Sequence, residues 1–334
     1  MNASFNKRNV LLRLCQIYSI GIGVWFILRL IFKDGVLLFA IFNTFALYLF
    51  LPLPFVLAVV LWQRAWHVVW QLFIPIVLFL FLFRGLLYPF ASAPDKFGDT
   101  NFSVMSFNIL LHNKDHDAIA SSIKSADADI VGLQEVTTEI AEALIPLLSE
   151  AYPYHTLSDL PSESTVAIIS RYPLQDVKRY TFIPRHRALM AQVNIEQQTI
   201  DVFIVHLTAN EFFKPGHPLS AFLPRITERY KIRTEEVDTI SGMLASNDNP
   251  LLLLCDCNLT DTSAPYAQIN HHLHDSFRDV GQGFGLTQAP GQLPFPIQRI
   301  DYIWYSSHFQ TIESYVGQPA KSDHLPIIST FALK

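Results

Sequence analysis

The sequence predicts an α/β domain preceded by a membrane-anchoring segment, and three observations support that prediction. The apolar residues that give the chain a mean hydropathy of +0.26 lie mostly before residue 95. Beyond it, a strand, a helix and a second strand follow at the spacing typical of α/β folds, over Asn101–Ile109, Asp117–Ala126 and Asp129–Glu135. The stretch Leu251–Asn258, LLLLCDCN, predicts a strand buried on both faces with a polar carboxyl end.

Three uncharged stretches precede the domain, at residues 14–28, 35–63 and 65–83. Each is near the roughly 20 residues that a helix needs to cross a bilayer, so we expect three transmembrane helices. Two alternatives stay open. The first stretch could be a cleaved signal peptide, although no A-x-A-like site follows it, and Pro52 and Pro54 could make the second a re-entrant hairpin.

The domain boundaries follow from this pattern: an anchor at residues 1–91, a linker at 92–100 and a folded domain at 101–334. Lys and Arg near the three stretches divide four against four between the two sides of the membrane. The usual dominance of the first helix then favours a cytoplasmic amino terminus. We therefore expect a multi-pass protein of the cell (inner) membrane whose folded domain is extracytoplasmic; a re-entrant second stretch would reverse that side.

Charge is divided unevenly along the chain. Of 24 Lys+Arg and 29 Asp+Glu, the first 100 residues hold 8 and 3, which leaves 16 and 26 and a net charge of −10 for the remainder. Binding to duplex nucleic acid draws its affinity from basic surface that displaces counterions, so this balance argues against a nuclease. Cys255 and Cys257 lie two apart on one predicted strand, a poor geometry for a mutual disulfide, and we expect both to be core residues.

Polar side chains end several predicted strands, where open α/β sheets bind ligands. Asp256 and Asn258 share one face of their strand, although an Asx-type turn would also explain them. Glu135 ends the second strand or, alternatively, starts the next helix as a solvated residue. His206 ends the strand Ile200–His206, where a hydrogen-bonded core histidine is the alternative. The aromatic, Pro-rich loop that follows, Thr208–Pro224, has the length of a functional loop.

The polar residues occur in one order: Asn108, then Gln134-Glu135, then His206-Leu207, then D-x-N at 256–258, R-I-D-Y-I at 299–303 and S-D-H at 322–324. This order resembles the endonuclease/exonuclease/phosphatase family over residues 101–334. The resemblance implies a four-layer α/β sandwich, two mixed β-sheets with outer helices. It also implies hydrolysis of a phosphoester with Mg²⁺ (or Mn²⁺).

The resemblance also implies a role for each motif residue. Glu135 would be the main metal ligand, with Asn108 beside it and Asp323 in the same shell. Magnesium prefers such oxygen ligands and keeps several waters, which agrees with these residue types. The family usually has glycine where this chain has Cys255, and we expect the cysteine to be accommodated by repacking behind the strand.

The remaining motif residues would act on the phosphate and the water. By resemblance, Asp256 orients or deprotonates the attacking water and Asn258 holds a phosphate oxygen. His206 contacts the phosphate or protonates the leaving oxygen, and Asp301 fixes the tautomer of His324, which faces the phosphate. A His–Asp pair supplies a positioned imidazole near neutral pH, which suits this assignment.

The expected substrate is a lipid-linked phosphate taken from the membrane lipid bilayer, because the domain is anchored, acidic and carries an aromatic loop. Arg187 and Arg229 are candidates to bind an anionic head group, although ordinary surface charges would look the same. A membrane-tethered nuclease is the second hypothesis. A catalytically silent binding module is the third, and it would require a lost site residue, whereas all eight are present.

Overall fold

A computed structural model describes residues 7–87, 101–160, 165–183, 186–212, 218–291 and 293–334. The predicted linker at 92–100 lies outside these residues. The chain forms two compact units: an N-terminal unit of Met1–Arg84 with Thr262–Ala264, and a C-terminal unit of Gly85–Asp261 with Pro265–Lys334.

The described part of the N-terminal unit is helical. Its helices are α1 (Lys7–Phe32), α2 (Leu37–Thr44), α3 (Ala46–Leu49), α4 (Leu53–Trp62) and α5 (Trp66–Leu87). Two of them, over Asn9–Phe32 and Trp66–Leu87, are long and apolar enough to cross a membrane. Of the three predicted transmembrane helices, two are therefore present as single long helices, and the third depends on the middle stretch.

The middle stretch is bent by 80° between α2 and the α3–α4 segment, as a broken span or a re-entrant loop would be. Polar side chains explain the break. The hydroxyl of Thr44 donates to the carbonyl of Ala40 at 2.9 Å, a bond back along the helix that commonly bends it. The amide of Asn43 donates to the carboxylate of Asp34 at 2.6 Å. The sequence prediction rested on the absence of charged residues, so it did not take these hydrogen bonds of Asn43 and Thr44 into account.

Two six-stranded mixed sheets form the centre of the C-terminal unit. In spatial order, the first sheet contains β11 (Phe309–Val316), β12 (Ile327–Leu333), β1 (Asn101–Asn108), β2 (Ile130–Val136), β4 (Thr165–Ser170) and β3 (Tyr154–His155). The second contains β5 (Leu174–Ile183), β6 (His186–Ile195), β7 (Gln198–His206), β8 (Leu251–Asp256), β10 (Asp301–Tyr305) and β9 (His274–Asp275).

Helices cover the outer faces of both sheets, with two apolar cores between helix and sheet. Against the first sheet pack α6 (His116–Ala126) and α7 (Thr138–Leu148), through residues such as Ile119 and Leu144. Against the second pack α8 (Phe222–Ala245) and α9 (Ala264–Asn270), through residues such as Ile240 and Ile269. A short helix, α10 (Ser276–Val280), follows β9.

The inner faces of the two sheets approach closely at Gly132 of β2. A Cβ atom there would lie 2.7 Å from the Leu254 side chain on β8 and 2.9 Å from Ile204 on β7, both in the other sheet. Only glycine allows this approach without repacking. Helix, sheet, sheet and helix therefore stack in four layers, as the predicted four-layer α/β sandwich requires.

Most predicted elements lie within one to three residues of their observed bounds, but strands β3, β5, β9 and β11 were not predicted. All four are edge strands. Edge strands carry polar and charged residues that prevent edge-to-edge pairing, so they lack the apolar run that marks a central strand. Helix α8 begins at Phe222, which shortens the predicted loop Thr208–Pro224; residues 213–217 of that loop, Phe213 among them, lie outside the described part.

The expectation that Cys255 and Cys257 are unbonded core residues is wrong in one respect. Both are buried in the core under α8 and α9, but they form a disulfide with each other. The strand ends at Asp256 instead of continuing to Asn258. The chain therefore turns at Cys257, and the two Cα atoms lie 5.0 Å apart, within the range that a disulfide spans.

Candidate active site

Two parallel strand pairs bring the predicted site residues to one edge of the sandwich. Strands β1 and β2 run parallel in the first sheet, and β7 and β8 run parallel in the second. Their carboxyl ends carry Asn108, Glu135, His206 and Asp256. Antiparallel pairing places Asp301, the first residue of β10, directly opposite Asp256.

One hydrogen bond connects the two sheets at this edge. The Nδ2 of Asn108 donates to Oδ2 of Asp256 at 2.7 Å, and both residues are buried. The Oδ1 of Asn108 accepts the backbone N–H of Leu110, while the hydroxyl of Ser322 donates to its carbonyl oxygen at 2.7 Å. Asn108 thus fixes Asp256 and connects it to the 322–324 segment.

Glu135 lies at an irregularity of β2 and has a left-handed backbone, with φ of 62°. It precedes α7, whose N-cap is Thr137, so it is not the solvated helix-start residue of the alternative interpretation. Its Oε2 accepts the backbone N–H of Leu111 at 2.7 Å. Burial raises the pKa of this carboxyl, but the nearby His206 and the Leu111 N–H outweigh it and hold the pKa below its usual value.

His206 lies between the two carboxylates. Its Nε2 is 3.4 Å from Oδ2 of Asp256 and 3.9 Å from Oε1 of Glu135. The side chain is 22 % exposed, in contrast to the 1 % of Asp256. The imidazole therefore combines contact with both acids and access to solvent, unlike a hydrogen-bonded core histidine.

Asp301 and His324 form a buried ion pair. The Nδ1 of His324 lies 2.9 and 3.1 Å from the two carboxylate oxygens of Asp301. Burial lowers the pKa of His324, but Asp301 and Asp256 outweigh it and raise that pKa to about 10. The imidazole is consequently a cation at neutral pH, with Nδ1 bonded to Asp301 and Nε2 3.9 Å from Asp256.

Asp256 is buried and lies beside a second carboxylate, that of Asp301. Burial raises its pKa to about 6; the His324 charge opposes that rise and the Asp301 charge adds to it. Its Oδ1 accepts the backbone N–H of Asn258 at 3.3 Å, so the Asx-type turn is also present. The Asx-type turn does not remove Asp256 from the site, because its second oxygen, Oδ2, still faces Asn108 and His206.

Asn258 and Asp323 border a cavity next to these groups. Asn258 has φ of 51° and donates through Nδ2 to the carbonyl of Leu207 at 3.0 Å; the NH₂ group carries a second hydrogen, and its use by a phosphate oxygen stays a prediction. Burial raises the pKa of Asp323, the charge of Glu135 adds to that rise, and His324 opposes it.

Of the two arginines predicted to bind a head group, the structure describes the side chain of Arg229 only. Arg229 forms an ion pair with Glu211 at 2.8 Å, at the wall of the same cavity. Arg187 belongs to β6, but its side chain lies outside the described part of the structure. Substrate binding by either residue stays a prediction.

Several supporting residues were not predicted. Thr287 accepts the backbone N–H of Asp301 at 3.3 Å, and Ser322 accepts the N–H of His324 at 3.0 Å. Gln288 and Gln298 line the cavity. No sequence periodicity marks them, because they come from irregular chain segments around the site. The signals that could have found them are the position of Ser322 within S-D-H and that of Gln298 just before R-I-D.

The donor atoms fit a divalent cation. The carboxylates of Glu135, Asp256 and Asp323 and the amide of Asn108 are hard oxygen donors. Burial raises the pKa of both Asp256 and Asp323, so their charged forms lack solvation that a bound cation would replace. Among the described residues, Asp256, Asp301 and His324 are also close enough to share one ion, within 4.8 Å, but Nδ1 of His324 is already bonded to Asp301.

Comparison with known proteins identifies the family and the fold of this chain. The model of the Endonuclease/Exonuclease/phosphatase family matches residues 105–324. A protein of that family from Beutenbergia cavernae superposes with a TM-score of 0.54 at 21% identity, over 70% of this chain and 72% of its own. One from Bacteroides vulgatus superposes at 0.56 and 17% identity, over 71% of this chain and 100% of its own.

A third solved structure, sphingomyelinase C from Streptomyces griseocarneus, superposes with a TM-score of 0.51 at 17% identity, over 69% of this chain and 99% of its own. At these identities the superpositions show the fold alone. A search of curated protein sequences found no match. The chain belongs to the endonuclease/exonuclease/phosphatase family, whose members hydrolyse phosphate esters.

Proposed function

We propose that this chain is a membrane-anchored, divalent-metal-dependent phosphoesterase that hydrolyses a lipid-linked phosphate ester. The observation that carries the proposal is the convergence of seven motif residues from two sheets on one edge of the sandwich: Asn108, Glu135, His206, Asp256, Asn258, Asp301 and His324. All eight motif residues are present, Asp323 included, which disfavours an inactive binding module.

In the proposed reaction Asp256 acts as the base, and the imidazoles of His324 and His206 act on the phosphate and on the leaving oxygen. Asp256 takes a proton from the water that attacks phosphorus, because a carboxylate with a pKa of about 6 is an efficient base near neutral pH. The His324 imidazolium donates through Nε2 to a phosphate oxygen and opposes the charge that builds there. His206, which is partly exposed, gives a proton to the ester oxygen as its bond to phosphorus breaks.

A cation, Mg²⁺ (or Mn²⁺), would be held by Glu135, Asn108 and Asp323. When bound, it supplies charge neutralisation at the phosphate and lowers the pKa of a water. The Leu111 N–H already positions the carboxylate of Glu135, so Glu135 would bind the cation without a rearrangement of the backbone.

Three observations support a lipid-linked substrate. The N-terminal unit contains helices long and apolar enough to cross a membrane. Residues 101–334 carry a net charge of −10, the 16 basic and 26 acidic residues left after the first 100, and this charge would repel nucleic acid. Apolar side chains are exposed at the start of α8 and in the loop before β10: Leu223 is 57 % exposed and Phe295 57 %. Removing such surface from water is worth about 25 cal/mol per Å² at a lipid interface.

We place the catalytic domain on the extracytoplasmic side of the cell (inner) membrane, as three spans from a cytoplasmic amino terminus would. The bent α2–α4 segment must then count as one broken span. The Cys255–Cys257 disulfide supports this side, because disulfides persist mainly in oxidising compartments.

A substrate competition tests the proposed function. The full chain in detergent micelles or liposomes would be offered diacyl phospholipids, single-stranded DNA and double-stranded DNA at matched phosphate concentration with Mg²⁺. We expect the lipids to be hydrolysed faster. Faster cleavage of DNA would contradict the lipid proposal and favour the membrane-tethered nuclease.

A further inference from the structure

A cavity of about 170 Å³ lies beside the active site and shares Asn258 and Asp323 with it. The rest of its wall comes from residues to which the reaction assigns no role. They include the amide side chains Asn210, Gln288 and Gln298, the carboxylate of Glu211 and the apolar side chains Phe212 and Ile300. Since it opens next to the residues that hold the phosphate, the cavity is the place for the group esterified to that phosphate.

Gln298 is the wall residue that points most directly to a ligand. It is only 7 % exposed, and its Nε2 is buried without a hydrogen-bond partner in the described part of the chain. Buried amide donors in native proteins are nearly always paired, so an unpaired one beside an open cavity calls for an acceptor from outside. A half-turn of the terminal amide exchanges its nitrogen and oxygen without other movement, and so the donor can face the cavity.

Backbone bridges connect the part of the wall that carries Gln298 to the segment that carries His324. Gln288 and Gln298 form an antiparallel bridge, with the N–H of Gln288 donating to the carbonyl of Gln298 at 2.9 Å. Gln288 forms a second bridge with His324, and the N–H of Ala289 donates to the carbonyl of Asp323 at 2.8 Å. A group bound at Gln298 is therefore held at a fixed distance from His324.

Arginines of α8 hold another part of the wall, at Asn210 and Glu211. Arg233, itself 2 % exposed, donates through Nη1 to Oδ1 of Asn210 at 2.6 Å. That bond occupies the amide oxygen, so the NH₂ group of Asn210 is the part that can donate to a ligand. Arg229 pairs with Glu211 at 2.8 Å and compensates part of its charge.

The polar and charged groups of the wall determine which chemical class of ligand can bind in the cavity. A quaternary ammonium group has no acceptor to offer the unpaired Nε2 of Gln298. The carboxylates of Glu211 and Asp323 disfavour a second anionic group, such as another phosphate. Neutral hydroxyl groups accept from the amides and donate to the carboxylates, while Phe212 and Ile300 can pack against the carbon skeleton.

We propose that this cavity is a subsite for an uncharged, polyhydroxylated group of the substrate, with Gln298 as a residue that determines specificity. The subsite rests on the phosphoesterase function proposed above and names its substrate class, a phosphoester of a polyol. The polyol could be a lipid head group or a free polyol phosphate, and the experiment below distinguishes them.

The test measures kcat/KM of the full chain in detergent with Mg²⁺ for two kinds of diester. Glycerophosphoinositol and glycerophosphoglycerol carry hydroxyl groups, and bis(p-nitrophenyl) phosphate carries none. We expect Gln298→Met, an unbranched replacement of similar size, to lower the polyol-to-nitrophenyl ratio about 10-fold, as the loss of a buried donor to a substrate hydroxyl would. The exposed Gln318→Met is the matched control and should leave the ratio unchanged.

A second measurement does not depend on turnover. Binding of myo-inositol to the metal-free full chain, followed by ligand-observed NMR, should weaken about 10-fold in Gln298→Met and stay unchanged in Gln318→Met. Faster turnover of the diacyl forms would identify the polyol as a lipid head group, and faster turnover of the soluble diesters would identify a free polyol phosphate.

An unchanged ratio in Gln298→Met, or faster hydrolysis of a choline diester than of the polyol diesters, would overturn the subsite while leaving the phosphoesterase intact. If no diester is hydrolysed, the proposed function itself is contradicted and the subsite with it.

Discussion

The amide of Asn108 and the carboxylate of Asp256 are 148 residues apart in sequence and 2.7 Å apart in space, and their hydrogen bond joins the two sheets at the active-site edge. Each residue ends a central strand, β1 and β8 respectively. The bond places the base of the proposed reaction and the predicted ligand Asn108 in contact. In the proposed mechanism this bond would fix the spacing between the base and the cation that Asn108 helps to hold.

Replacing Asn108 by alanine should lower kcat/KM about 10²-fold and move the acidic limb of the pH–rate profile to higher pH. Donation from Asn108 lowers the pKa of Asp256, so its loss lets that pKa rise above about 6. A higher pH is then needed to form the carboxylate. The profile is measured with a soluble diester under kcat/KM conditions.

The matched control is Asn247→Ala, which removes an amide that donates to the carboxylate of Asp201 at 2.8 Å, away from the active site. It should leave the profile in place. A shift toward lower pH in Asn108→Ala, or the same shift in both variants, would contradict the role given to Asn108.

The Asp301–His324 pair should make the stability of the metal-free protein fall as pH rises. The folded-state pKa of His324 is raised to about 10 above its ordinary value of 6.5. Its contribution is therefore fully present below pH 6.5 and is lost as pH rises toward 10. Asp301→Asn removes the main cause of that raised pKa, so we expect a lower melting temperature at pH 6.5 and a flatter dependence between pH 6.5 and 10.

Thermal unfolding of the full chain in chelator measures this dependence, with the exposed Asp248→Asn as the control. Equal slopes in wild type and Asp301→Asn would mean that the pair does not stabilise the imidazolium.

The sequence was sufficient to predict where several candidate site residues lie, because strand periodicity identifies where buried strands end. Four of the site residues, Asn108, Glu135, His206 and Asp256, follow from the apolar runs that precede them. Parallel pairing in each sheet then brings these ends together, and the family resemblance supplies the partner sheet.

What the sequence did not predict depends on local geometry. The Cys255–Cys257 disulfide requires the chain to leave the strand at Asp256, two residues before the predicted end at Asn258. The break near Phe45 depends on hydrogen bonds of Asn43 and Thr44 that hydropathy ignores. The Gln298 wall arises from two bridges between irregular segments, which no periodic signal marks.

Replacing Leu223 by serine should slow turnover of diacyl lipid in liposomes several-fold, because a 57 % exposed leucine at the proposed interface gains by leaving water. Hydrolysis of a soluble diester should be unaffected, since Leu223 does not line the cavity or contact the reacting groups. Val177→Ser, at a residue 43 % exposed on β5, is the control. Equal losses on lipid and soluble substrate would contradict insertion of this surface into lipid.

A reporter fused after Lys334 decides the side of the membrane. If the bent α2–α4 segment crosses the bilayer as one broken span, the chain crosses three times. Periplasmic alkaline phosphatase should then be active and a cytoplasmic fluorescent protein dark. The reverse pattern would identify the segment as re-entrant and place the substrate in the cytoplasm.

The central claim is that Glu135 and its neighbours form a divalent-metal phosphoesterase, and a metal titration of wild type and Glu135→Gln tests it most directly. Glu142→Gln, on the exposed face of α7, is the matched control. Wild type and Glu142→Gln should hydrolyse bis(p-nitrophenyl) phosphate only with added Mg²⁺ or Mn²⁺, and added metal should raise their melting temperatures. Glu135→Gln should stay folded, lose activity about 10²-fold or more, and show little shift in melting temperature with metal. Equal turnover by wild type in excess chelator, or full metal-dependent activity in Glu135→Gln, would contradict the account.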